Sequence, residues 1–161
     1  AGAFVRHDIS VMREFDVVPP IVAEKAKILQ ILVNLIRNAK CACDESGSLD
    51  KVIVLRIAPA PEGGVRLSVQ DNGVGISPAT MVRLFEHGFT TRREGHGFGL
   101  HSSAHTARSL GGTLTAQSGG LGQGATFTLQ LPAAPGVPLP AKGEASCLSS
   151  AGPSAARGDP V

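Results

Sequence analysis

The 161-residue chain has no tryptophan and no tyrosine, and aromatic residues make up only 4% of it. Large aromatic anchors therefore cannot dominate a binding surface, and backbone groups must carry more of the recognition. Cysteine is scarce as well. Cys41, Cys43 and Cys147 are an odd number with no Cys-x-x-Cys pair, which excludes a disulfide framework and a zinc-ribbon spacing and points to a reduced, cytoplasmic setting. Neither sign of charge prevails: 15 Lys and Arg stand against 13 Asp and Glu, for a net +2. Binding to the nucleic-acid backbone needs a basic stripe, so nucleic acid is excluded as a partner. No stretch reaches the roughly 18 apolar residues of a membrane span, and the opening AGAFVRHDIS lacks the apolar centre of a signal peptide. Membrane contact by this chain is not expected, and any tether of a full-length protein would lie in sequence outside it.

What the chain does have is glycine. Of 20 glycines, twelve lie between Gly73 and Gly124, so glycine is concentrated in one stretch. With 42% hydrophobic positions the chain is long enough for one domain with a core. Composition breaks at Pro132: of the 30 residues 132–161, 21 are Pro, Gly, Ala or Ser. The expected organisation is one domain over residues 1–131 and a flexible tail over 132–161.

Within the domain, residues 9–15 alternate as a strand, and Pro19-Pro20 interrupts the chain before a helix over about 24–44. In that helix Ile28, Ile31, Leu32, Leu35, Ile36 and Ala39 recur at three- and four-residue steps. Strands follow at 51–58 and 65–70, joined by a Pro/Gly connection. A short helix opens at Ser77-Pro78, another helix runs over about 99–110 to Gly111-Gly112, and a closing strand pair lies at 113–117 and 125–131. This order predicts an α+β fold, a two-layer α/β sandwich whose mixed, mostly antiparallel sheet carries helices on one face.

Four segments carry polar chemistry. Asn34 and Asn38 are four apart in the long helix, hence on one face, away from its apolar stripe. An amide oxygen there is a hard neutral ligand suited to Mg²⁺. Asp71-Asn72-Gly73-Val74-Gly75 leaves a strand end, where a carboxylate can accept from an exocyclic amine and glycines let the backbone approach a flat ring. Phe85-x-x-x-Phe89 precedes Thr91, Arg92 and Arg93, which bring donors suited to phosphate. Gly95-His96-Gly97-Phe98-Gly99-Leu100 then leads into a helix whose amides and dipole attract an anion. Each segment alone also has a plain structural reading, as solvated polar positions, an ordinary turn, a hydrophobic staple and a flexible loop. The glycine run does not follow a strand as a dinucleotide-binding run must, and none of the five lysines follows a glycine, which excludes a P-loop.

In this order and at these separations, the four segments resemble the N, G1, F and G2 boxes of the GHKL superfamily of ATP-binding domains, which includes gyrase, heat-shock chaperone, histidine kinase and MutL types. The resemblance covers about residues 9–132, and the closing Gly122-Gln123-Gly124-Ala125-Thr126-Phe127 is similar to the sensor histidine kinase branch. In ATPase members a glutamate one turn before the magnesium asparagine activates water. Here that position is Asn34, with Arg37 following, and a neutral amide is no general base. The resemblance therefore implies ATP and Mg²⁺ as ligands, with phosphoryl transfer to a histidine on a dimerisation domain outside this chain and a response-regulator receiver domain downstream. By the same resemblance, Asn38 holds Mg²⁺ with support from Asn34, and Arg92 and Arg93 reach the phosphates from a lid that also holds Phe89, Thr91, Gly95 and His96. Asp71, Gly73 and Gly75 take the adenine, while Gly97, Gly99 and Leu100 cradle phosphate. Thr126 completes the adenine end. A GHKL ATPase, an anti-sigma-type serine kinase and a nucleotide sensor without turnover remain alternatives. His7 stands beside the first strand and not on a long helix, so it is not read as the acceptor. His101 and His105 have no third metal ligand, and Cys41 and Cys43 are read as packing residues.

Overall fold

The computed structural model describes residues 9–89 and 99–136. Its elements in chain order are β1 (Ile9–Phe15), α1 (Lys25–Glu45), β2 (Lys51–Pro59), β3 (Val65–Asp71), α2 (Pro78–Arg83), α3 (Gly99–Ser109), β4 (Thr113–Gln117) and β5 (Ala125–Leu131). The strands form one sheet in the order β1-β2-β3-β5-β4. β1 and β2 are parallel, joined across α1, and the other neighbours are antiparallel. The expected fold class holds, with α1 packed on β2 and β3 and α3 packed on β4, β5 and α1.

Burial follows the two periodicities. On α1, Ile31, Leu35, Ala39 and Cys43 are buried at four-residue steps. On β3, Val65, Leu67, Val69 and Asp71 are buried, and on β5, Ala125, Phe127, Leu129 and Leu131, because successive strand residues face opposite sides of the sheet. The opposite face is polar along β3 and β5 and carries Met12, Val52 and Val54 along β1 and β2. Ser68 and Thr128 hydroxyls meet there at 3.3 Å, and Arg56 bridges Glu14 and Gln70.

Local chemistry ends the elements. Ser77 caps α2 by accepting from Thr80 N–H at 3.2 Å, with Pro78 in the first turn. At the end of α3, Gly112 N–H donates to Ala107 O at 2.9 Å. Past β5, Ala134 N–H donates to Pro20 O at 3.2 Å, so the chain stays joined to the domain three residues beyond the last strand.

The C-terminal turn of α1 is tied to β2 by charge. Asp44 accepts from Lys40 Nζ at 2.7 Å and from Lys51 Nζ at 2.8 Å, and Lys51 is buried. Hydrogen bonds from Lys40 and then Lys51 hold the Asp44 carboxyl down at about 2. A carboxyl lowered by folding stabilises the native state fully above its unfolded value of about 4, and loses that contribution as pH falls toward 2. Acid titration followed by circular dichroism should therefore show an Asp44→Asn variant losing less stability than the parent between about pH 4 and 2. Equal losses would remove Asp44 from the account.

Candidate functional site

Three residues on one flank of α1 organise the site at four-residue steps. Asn34 Nδ2 donates to Ser103 Oγ of α3 at 3.1 Å. Ala42 O accepts Val74 N–H at 3.1 Å, from the loop after β3. Asn38 lies midway between them, one turn from each, because residues four apart stack along a helix. The structure thus places Asn38 between the helix that follows the glycine run and the loop that follows Asp71.

Asp71 ends β3 with 5% exposure, and its Oδ1 accepts Gly73 N–H at 2.9 Å, the two-residue pattern of an Asx turn. Asn72 points the other way. Its Oδ1 accepts Val52 N–H at 2.9 Å and its Nδ2 donates to Asp50 O at 2.7 Å, which ties the loop to the start of β2. Cys43 also contacts Asn72 Oδ1, and burial pushes its thiol up, so it behaves as a packing residue rather than a reactive one. Lys40, on the same helix, is occupied by Asp44.

The glycines divide into two kinds. A Cβ on Gly73 would lie 2.4 Å from Ala42 C, and one on Gly75, whose φ is +73°, would lie 2.1 Å from Gly120 O. A Cβ on Gly124 would meet Asp71 O at 2.1 Å. These positions are glycine because backbone meets backbone there. The β4–β5 turn is the second wall: Gly122 N–H donates to Val74 O at 2.6 Å, and Ser118 Oγ accepts Ile76 N–H at 3.0 Å while contacting Gly124 O at 2.6 Å. Gly99 differs. It opens α3, and among the described residues a Cβ on it would meet nothing within 4 Å, so no described neighbour requires glycine there. Alanine at Gly73 or Gly75 should cost about 2–3 kcal/mol through overpacking and backbone strain, read from the urea midpoint. Alanine at Gly99 should stay within about 0.5 kcal/mol. Equal losses at Gly73 and Gly99 would contradict the division.

Around α3, Leu100 packs against the core while Ser103 is 2% exposed. His101 Nδ1–H donates to Phe85 O at 3.0 Å, and its ring meets that of His87 edge-on at 4.9 Å. Phe85 and Phe89 have separate roles. Phe85 packs against the core, while Phe89 lies under the Arg83 guanidinium at 4.7 Å. Thr91, Arg92, Arg93, Gly95, His96 and Gly97, like His7 and residues from 137 onward, lie outside the described residues.

One expected residue is not brought to the site. β5 pairs with β3 so that Ala125 stands opposite Asp71 and Thr126 opposite Gln70. A one-residue step flips a strand side chain to the other face, so Thr126 is on the polar sheet face, away from the helices, and the residue beside Asp71 is Ala125. Residues that the sequence reading passed over include Ala42, Asn72, Ser118 and Ser103. Ser103 left a signal: it falls on the buried face of α3, three residues after Leu100 and four before Ala107, where a polar side chain needs a partner.

Comparison with known proteins places this geometry among related chains. A model of the family described as histidine kinase-, DNA gyrase B- and HSP90-like ATPase matches residues 23–135. The two-component sensor PprA of Pseudomonas aeruginosa is 40% identical over 109 residues, which is 65% of this chain and 12% of PprA. The sensor protein FixL of Bradyrhizobium diazoefficiens is 37% identical over 114 residues, 71% of this chain and 22% of FixL. The chain thus spans less than a quarter of either relative. The structure of full-length ShkA in complex with AMPPNP superposes with a TM-score of 0.68 at 30% identity, over 78% of this chain and 26% of that one.

Proposed function

Because the chain belongs to the family of histidine kinase-, DNA gyrase B- and HSP90-like ATPases, we propose that it is the ATP-binding catalytic domain of a sensor histidine kinase. It passes the γ-phosphoryl group of ATP to a histidine imidazole on a dimerisation domain outside these residues, for relay to a response-regulator receiver domain. The observation that carries this reading is the placement of Asn38 between the start of α3 and the Asp71 loop, through the Asn34–Ser103 and Val74–Ala42 bonds. Phosphates at the head of α3 and adenine at Asp71 then flank one metal position. The likenesses to PprA and FixL, both named as sensors, and to ShkA in complex with AMPPNP support the same assignment.

The residues present fit the ligands. No described residue crowds Gly99 at the first turn of α3, where N–H groups and the helix dipole suit phosphate. Asn38 offers a neutral oxygen of the kind Mg²⁺ accepts beside phosphate and water. When bound, Mg²⁺ offsets charge on the phosphate oxygens. Asn34 gives its amide nitrogen to Ser103, so its oxygen is the end that supports the metal side. Buried Asp71 presents a carboxylate to the adenine amine, with Gly73 holding its Oδ1 in place. Arg92 and Arg93 supply positive charge to the γ-phosphoryl group. The imidazole nitrogen forms the new P–N bond as the bond to the bridging β,γ-oxygen breaks and ADP leaves, a transfer that asks the protein mostly for positioning and charge neutralisation.

By the resemblance, Asn34 stands where a water-activating member carries glutamate, which favours transfer to protein over hydrolysis. No helix among the described residues is long and apolar enough to cross a membrane. The deciding experiment mixes the domain, Mg-ATP and the dimerisation domain of its own full-length protein. Binding of Mg-ATP by the domain alone, with acid-labile phosphate appearing only on the added partner, is the expected result. Multiple-turnover phosphate release without the partner would replace the reading with an ATPase, and acid-stable phosphate would replace it with a serine kinase. No Mg-ATP binding would leave it without support.

A further inference from the structure

We infer that His101 and Ser103 are positioning residues of the nucleotide site, holding the first turns of α3 from two sides through His101 Nδ1–H to Phe85 O and Asn34 Nδ2–H to Ser103 Oγ. The inference rests on the nucleotide reading above and adds to it the residues that aim the phosphate-facing amides. His101 and Ser103 are two apart on one helix, so their side chains project roughly 200° apart around its axis. Packing of Leu100 and Ala107 against the core already limits the roll of α3. The two bonds restrain it further from opposite flanks, with α1 on one and the chain just after α2 on the other.

The partners are themselves anchored. Phe85 packs against the core, and the residue next to it, Leu84, is part of that core. Asn34 lies one residue before the fully buried Leu35. Ser103 is 2% exposed, so its hydroxyl is a buried polar group whose bond is worth more than a surface one. On the His101 side the His87 ring, edge-on at 4.9 Å and 82°, closes the other side of the imidazole. A carbonyl oxygen only accepts, so His101 carries its proton on Nδ1. Cα atoms lie on a cylinder of radius about 2.3 Å, so a roll of about 20° would displace the backbone at Gly99 and Leu100 by up to about 0.8 Å. Misplacement near 1 Å is enough to cost large factors in a positioned reaction.

The test compares Mg-ATP with adenosine, which shares the Asp71 end of the site and lacks the phosphates. Calorimetry for Mg-ATP and NMR titration for adenosine would be run on the parent, Ser103→Ala, His101→Ala and His101→Asn, each checked for folding by circular dichroism. We expect Ser103→Ala and His101→Ala to weaken Mg-ATP about five- to tenfold while adenosine stays within twofold. His101→Asn, whose amide nitrogen can take the place of Nδ1–H, should return Mg-ATP affinity to within about twofold of the parent. If parent affinity is intact and both alanine variants leave the ATP-to-adenosine ratio unchanged, or if His101→Asn is as weak as His101→Ala, the positioning roles are wrong. If a variant merely loosens the fold, both ligands weaken together, which also overturns them. A parent that binds neither ligand overturns the nucleotide reading itself and is distinguishable from these outcomes. Should Ser103→Ala fail to fold, the two His101 variants decide alone.

Discussion

Asp71→Asn is expected to weaken ATP binding roughly 10- to 150-fold while leaving the fold standing. The asparagine oxygen can still accept Gly73 N–H, as Asp71 Oδ1 does at 2.9 Å, so the Asx turn survives. What disappears is the negative charge at a site 5% exposed. A hydrogen bond to an ionised acceptor contributes about 1.5–3 kcal/mol, and every 1.4 kcal/mol is a factor of about ten. Calorimetry with ATP reads the affinity, and thermal unfolding should move by no more than a few degrees. Affinity within twofold of the parent would mean that the adenine amine is not read by Asp71.

Asn38→Ala should produce the other large effect, and of a different kind. Its oxygen is assigned to the metal and not to the nucleotide directly, so affinity for ATP in the presence of a chelator should hold within about threefold. The increment that Mg²⁺ adds should vanish, and phosphoryl transfer to the partner histidine should fall by roughly 10²- to 10³-fold, the scale at which charge stabilisation of a transition state is lost. Asn38 is half-buried on α1, and alanine is the best helix former, so the variant should not lose stability through the helix itself. A variant that keeps its response to Mg²⁺ would move the metal elsewhere.

These two residues were readable from sequence because their signals are local. The asparagine spacing needs only the 3.6-residue period, and Asp71 is marked by the strand before it and the glycines after it. Element limits came out within about a residue for the same reason, as at Lys51 and Ala125, where apolar alternation begins. Contacts between distant segments were not readable. Whether β1 runs parallel or antiparallel to β2 leaves no mark in either strand, and the Asn34–Ser103 bond joins residues 69 apart. Thr126 shows a subtler limit. Its composition suits a polar site, but face is set by the pairing of β5 with β3, and the pairing gives Asp71 an alanine neighbour. Gly73 and Gly75, expected to let the backbone approach a ring, are also required by Ala42 and Gly120, which the sequence does not reveal. The one glycine of the described site left unexplained by the protein is Gly99.

The strand order carries a consequence for synthesis. β5 lies inside the sheet, between β3 and β4, although it is the last of the described strands to be made. A nascent chain that has emerged only as far as Gly124 has β3 without its inner neighbour and lacks Phe127, Leu129 and Leu131, all buried in the finished core. The β2–β3 hairpin can pair early, since its partners are close in sequence, but β3 and β5 must meet across more than fifty residues, a slow closure. Until then the apolar faces of α1 and β3 have no complete partner, and the nascent chain exposes them to chaperones and to its neighbours on the polysome.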